Sequence, residues 1–120
     1  MKIYTRPATA IILLVCIVGC TNQERKRNET MLKEDLYHMR TAIDQYTQDK
    51  NAAPQDLNDL VRAGYLHAIP KDPFTHSAET WQVVQEDVLF GAVDQTAPGI
   101  SDVKSGSNLM SSEGTRYNTW

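Results

Sequence analysis

Residues 31–46 read Met31-Leu32-Lys33-Glu34-Asp35-Leu36-Tyr37-His38-Met39-Arg40-Thr41-Ala42-Ile43-Asp44-Gln45-Tyr46, and within them Leu32, Leu36, Met39, Ile43 and Tyr46 step by four, three, four and three. That spacing puts a single apolar stripe on one face of an α-helix. Asp49-Lys50-Asn51 and then Pro54 mark its end. A stripe about two and a half to four turns long suits either a coiled-coil seam or a core face, and packing against a small sheet is the expected fate. Upstream, Asn22–Thr30 is polar and contains Glu24-Arg25-Lys26-Arg27-Asn28-Glu29. It reads as a solvated face that either begins the helix or tethers it. Glu29 and Lys33 stand at i,i+4 in the favourable order.

Downstream, Leu57, Leu60 and Val61 share a face of a short second helix, with Asp56 and Asp59 in its early turns and Gly64 where a C′ residue belongs. Pro70 and Pro73 keep Ile69–Phe74 out of helix, and Asp72 is able to accept a hydrogen bond from the backbone two residues on. Thr80–Val84 and Val88–Val93 are rich in strand formers around a polar Gln85-Glu86-Asp87, which predicts an antiparallel hairpin. From Asp94 to Gly114 the chain turns to Ser, Gly, Asp and Asn, a loop of about twenty residues whose length suggests function, a bound ion or partial disorder. Tyr117 and Trp120 are expected to dock on the hairpin and pin that loop. The predicted class is α+β: a long N-terminal helix packed on a small antiparallel sheet, a short second helix and an irregular C-terminal loop.

The unbroken hydrophobicity lies elsewhere, before Thr21. Lys2 and Arg6 precede an apolar run from Ala8 to Val18 interrupted only by Thr9. This layout is that of a secretory signal, and the run is about half the length of an untilted membrane span. Ile17-Val18-Gly19-Cys20 resembles the bacterial lipobox, which implies cleavage between Gly19 and Cys20 and lipidation of Cys20. The expected organisation is a signal peptide at 1–19, a lipidated Cys and polar tether at 20–30, and a folded domain at 31–120. An ordinary signal, or a short buried helix, that merely ends at Cys20 is the competing reading.

Several function classes fall away on composition. The chain has 120 residues and a net charge of −3. Loss of residues 1–19 would remove Lys2 and Arg6 but no acid, leaving 10 basic and 15 acidic residues, net −5. No basic surplus marks a nucleic-acid partner. With Cys16 cut away and Cys20 blocked by lipid, the mature chain would have no thiol for a disulfide, a zinc site or a nucleophile. His38, His67 and His76 are isolated in sequence, and the adjacent acids Glu34-Asp35 and Glu86-Asp87 diverge rather than converge on a bond. Neither a phosphate loop nor a nucleophile elbow nor an HExxH pattern is present, so neither catalysis nor a small-molecule substrate is expected.

The order of elements resembles the major pseudopilin of type II secretion and its type IV pilin relatives. The residues that carry the likeness are Gly64-Tyr65-Leu66, Ile69-Pro70-Lys71-Asp72-Pro73-Phe74, Trp81, and a Gly/Ser/Asp loop closing on Tyr117 and Trp120. It spans about 31–120. Members of that family enter through a prepilin signal followed by an apolar helix of about twenty residues. Here Cys20 is followed by a polar stretch in which Glu24 precedes Arg25-Lys26-Arg27. The combination implies a pilin-like domain detached from filament assembly and held to the bacterial envelope by lipid, facing the periplasm.

Expected partners are the membrane and pseudopilins or other secretion-system proteins; the alternative is an envelope lipoprotein that keeps only the fold as a binding module. The resemblance also implies calcium in the last loop, where Asp94, Asp102, Ser105 and Ser107 offer oxygen ligands, with Glu113 further on. A solvated Ser/Gly loop is the competing reading, because Glu113 is the one acid near Trp120.

Overall fold

In the computed structural model, which describes residues 7–86 and 98–120 with side chains from Thr21 onward, the apolar stripe is the floor of the core. Leu32, Leu36, Met39 and Ile43 are buried on helix α1 (Pro7–Lys50), and Tyr46 is partly buried against them. α1 runs without a break through 20–30, so the polar segment is helix. Its first residue is a proline, whose fixed φ suits the first helical position. Asn51 stops it by adopting a left-handed conformation, φ 50°.

Helix α2 (Leu57–Arg62) is only six residues long and depends on its ends. Asp56 accepts from Asn58 N at 3.0 Å, while the Asp59 carboxylate accepts from Asp56 N at 3.1 Å, forming a capping box. At the other end Gly64, φ 84°, lets Gly64 N donate to Val61 O at 3.1 Å and Tyr65 N to Leu60 O at 2.9 Å. This pair of bonds is a Schellman close, the role expected of Gly64. Leu57 and Leu60 face the core.

Strand β1 (Gln82–Glu86) pairs antiparallel with β2 (Gly99–Lys104). This corrects the hairpin expected from sequence. Gln85 and Glu86 are strand rather than turn, and the partner is Gly99–Lys104, from the stretch read as loop. The expected second strand, Val88–Val93, lies outside the described residues. The β-rich residues Val83 and Val84 are themselves exposed, and the apolar contribution comes from Trp81 just before β1 and from Ile100 and Val103 on β2. The register jumps at Ser101, since Val84 pairs with Asp102 and Gln85 with Ile100. This one-residue bulge resets the alternation, which is how Ile100 and Val103, three apart, both reach the core. Ile100 N donates to Pro54 O at 2.8 Å, joining β2 to the connection between the helices.

The small sheet, the short helix and the irregular closing segments lie against the C-terminal part of the long helix. The architecture is α+β, as the sequence pattern predicts.

Candidate functional site

The charge run at Asn22–Thr30 does more than face water. Glu29 is 6% exposed. It accepts from Ser112 N at 2.7 Å, from Ser112 Oγ at 2.5 Å and from the Tyr117 hydroxyl at 2.8 Å, with Arg25 Nε at 3.6 Å. Arg25 also donates through Nη2 to Met110 O. Lys33 pairs with Glu113 at 2.8 Å rather than with Glu29, and its ammonium lies 4.8 Å from the Trp120 ring. Further along, Arg40 Nε binds Asp102 at 2.7 Å, and Nη2 donates to Val103 O at 3.0 Å and to the main-chain oxygen of Trp120 at 2.7 Å. Thus four charged residues of α1 clasp the last dozen residues. Tyr117 and Trp120, expected on the hairpin, instead dock chiefly on Phe74 and each other: Tyr117 stacks on Phe74 at 3.8 Å and meets Trp120 edge-on at 5.1 Å.

Burial acts to raise the Glu29 pKa, but the donors of Ser112, the Tyr117 hydroxyl and Arg25 together hold it below the ordinary 4.5. The folded chain therefore binds this proton more weakly than the unfolded chain does. The stabilisation is complete above about 4.5 and is lost as pH falls through the lower folded value. Glu29→Gln is expected to cost about 1–2 kcal/mol near neutral pH and to flatten the acid limb of stability. Thermal unfolding across that range checks this; parallel limbs for the two proteins would assign the acid sensitivity to another group.

The proline corner is tied from inside. Asp72 is fully buried and accepts from Phe74 N at 2.8 Å, the expected bond two residues on, and from Thr75 N at 3.4 Å. Its other carboxylate oxygen accepts from Ser105 Oγ and from Gly106 N at 3.3 Å. Trp81 Nε1 donates to Pro70 O at 2.8 Å. Gly106 passes so close to the segment before β1 that a Cβ there would lie 2.2 Å from Thr80 O.

Of the residues proposed for calcium, Asp94 lies outside the described residues, and the other three have separate occupations. Asp102 binds Arg40 and accepts from Val103 N at 2.8 Å. Ser105 is buried against Asp72, and Ser107 Oγ accepts from Leu109 N at 3.3 Å. Gly19 and Cys20 lie on α1, and their side chains are outside those described. The fold does gather two histidines that spacing separates: His38 and His67 line one groove with Asp35 and Tyr65. Burial raises the Asp35 pKa. Among the described residues no three His, Cys, Asp or Glu side chains are placed to hold a metal ion.

A larger open groove of about 590 Å³ lies between α2 and the sheet, lined by Leu57, Val61, Ile69, Trp81, Val83 and Glu79. No sequence signal pointed to it, because its walls come from four separate segments. Comparison with known protein families, curated proteins and solved structures finds no match for this chain.

Proposed function

We propose that this chain is a lipid-anchored, pseudopilin-like structural or accessory component of a type II secretion or type IV pilus-like system, without enzymatic activity of its own. Cys20 carries the lipid, cleavage falls between Gly19 and Cys20, and the domain faces the periplasm. The observation that carries the reading is a single helix that leads from the lipobox-like Ile17-Val18-Gly19-Cys20 into the domain core, with the C-terminal segment folded back and clasped onto it. A long N-terminal helix leading into the domain is what the pilin resemblance implies, here with a lipid anchor in place of the apolar filament helix.

A tagged full-length chain, cross-linked in its host and recovered under denaturing conditions, is expected to bring down pilin-like subunits or secretin components. Their consistent absence would overturn the reading. The groove beside Trp81 favours the alternative, an envelope lipoprotein that binds a ligand there. Under that alternative Val61→Arg, which fills the groove with charge, abolishes recovery of the partner while the lipid anchor and fold persist.

A further inference from the structure

Leu109 and Met110 are among the most exposed large apolar side chains described, at 58% and 49%. Their main chain is not loose. Leu109 N donates to Ser107 Oγ at 3.3 Å, Leu109 O accepts from Tyr117 N at 3.1 Å, and Met110 pairs with Arg116 in a β-bridge. Met110 O accepts from Arg25. The polar groups of this turn are held by the protein while both apolar side chains are held out of it.

Its position on the helix gives the reason. Arg25 is five residues from Cys20 on an unbroken α-helix, about 7 Å along the axis at 1.5 Å per residue. If Cys20 is at the bilayer surface, the turn of Leu109 and Met110 that Arg25 holds is brought to within about two helical turns of it. Exposed Arg116 is joined to Met110 by that bridge, and exposed Lys26 and Arg27 follow Arg25 on α1, against the exposed acids Glu24 and Glu113, the latter paired with Lys33. Arg116 also donates to Asn108 O at 2.7 Å, next to Leu109. Apolar side chains flanked by cations are what an anionic membrane interface accepts.

We propose that Leu109 and Met110 insert into the headgroup–acyl boundary of the membrane that holds Cys20, with Lys26, Arg27 and Arg116 on anionic headgroups, so that the domain has a fixed tilt rather than swinging on its lipid. This rests on the lipid-anchor reading. Its occupant is a bilayer rather than a protein, because Arg25 holds the turn within about two helical turns of Cys20 and the exposed Arg116 cation is bridged to it.

The test uses the full-length chain, processed in its host and placed in vesicles of phosphatidylethanolamine and phosphatidylglycerol, with Leu109→Cys or Gln48→Cys labelled by an environment-sensitive fluorophore. Gln48 is exposed and about 35 Å further along α1. Brominated acyl chains are expected to quench the label at 109 at least twofold more than the label at 48. Replacing phosphatidylglycerol by neutral lipid should reduce that difference. Mass spectrometry of the same preparation reads the lipid on Cys20. An unmodified Cys20 overturns the anchor and this proposal with it. An intact lipid adduct with equal quenching at 109 and 48 overturns this proposal alone, as it would if a protein covered the turn. Quenching at 109 that ignores headgroup charge removes Lys26, Arg27 and Arg116 from it.

Discussion

Asp72→Ala is expected to destabilise the domain by about 3 kcal/mol, roughly 15 °C in thermal midpoint for a chain of this size. The magnitude follows from what the substitution leaves behind. Ser105 Oγ, Gly106 N and Phe74 N all donate to a carboxylate that is fully buried, and Ala offers them nothing. A buried donor left unpaired costs about 1–3 kcal/mol, and only those that reach water on relaxation recover part of it. The corner cannot simply draw closer, because Gly106 is already against Thr80 O. Asp72→Asn keeps the shape but turns an amide N–H toward one donor, so it should fall about midway. Loss of the tie would also free Phe74, on which Tyr117 stacks, so the clasp at Glu29 is expected to loosen in the same variant. Thermal unfolding measures the cost, and hydrogen exchange at Ser112 and Tyr117 reads the clasp. A midpoint within about 3 °C of the parent would mean that the corner is held by its prolines alone.

The division between what the sequence displays and what it conceals runs along the distance between partners. The α1 stripe, the capped ends of α2 and the Asp72–Phe74 turn each depend on residues within about one helical turn of one another, so periodicity and local hydrogen-bonding chemistry are enough to find them. Strand β2 is hidden for two physical reasons. Gly99, Ser101, Asp102 and Lys104 have the composition of a loop, and the bulge at Ser101 destroys the alternation that would have identified Ile100 and Val103 as inward-facing. The roles of Glu29 and Arg25 are concealed by separation instead, for their partners Ser112, Tyr117 and Met110 lie more than eighty residues away. In a single sequence a glutamate destined for burial is indistinguishable from its exposed neighbours. The same holds for the 590 Å³ groove, whose lining has no common motif.

Cys20→Ala is expected to have the largest effect on behaviour in the cell and almost none on the fold. Among the described residues the buried core begins at Leu32 on α1, twelve residues beyond Cys20. The variant domain should therefore keep its thermal midpoint to within about 1 °C, because surface changes away from packing and caps cost little. What it is expected to lose is acylation. A diacylglyceryl group with a further amide-linked chain holds a protein to a bilayer effectively permanently, whereas a contact as small as Leu109 and Met110 does not. Incorporation of labelled palmitate is expected to fall to background, and fractionation should move the protein from the membrane pellet. Where the precursor is still exported through an uncleaved apolar segment, the label remains absent while the protein stays in the pellet at its higher precursor mass. The two readouts must therefore be taken together. Palmitate label persisting in Cys20→Ala would overturn the anchor and return Cys20 to the end of an ordinary signal or helix. Loss of label with an unchanged domain would separate the two halves of the molecule: an address that fixes where the chain works, and a clasped helix and sheet that fix its shape.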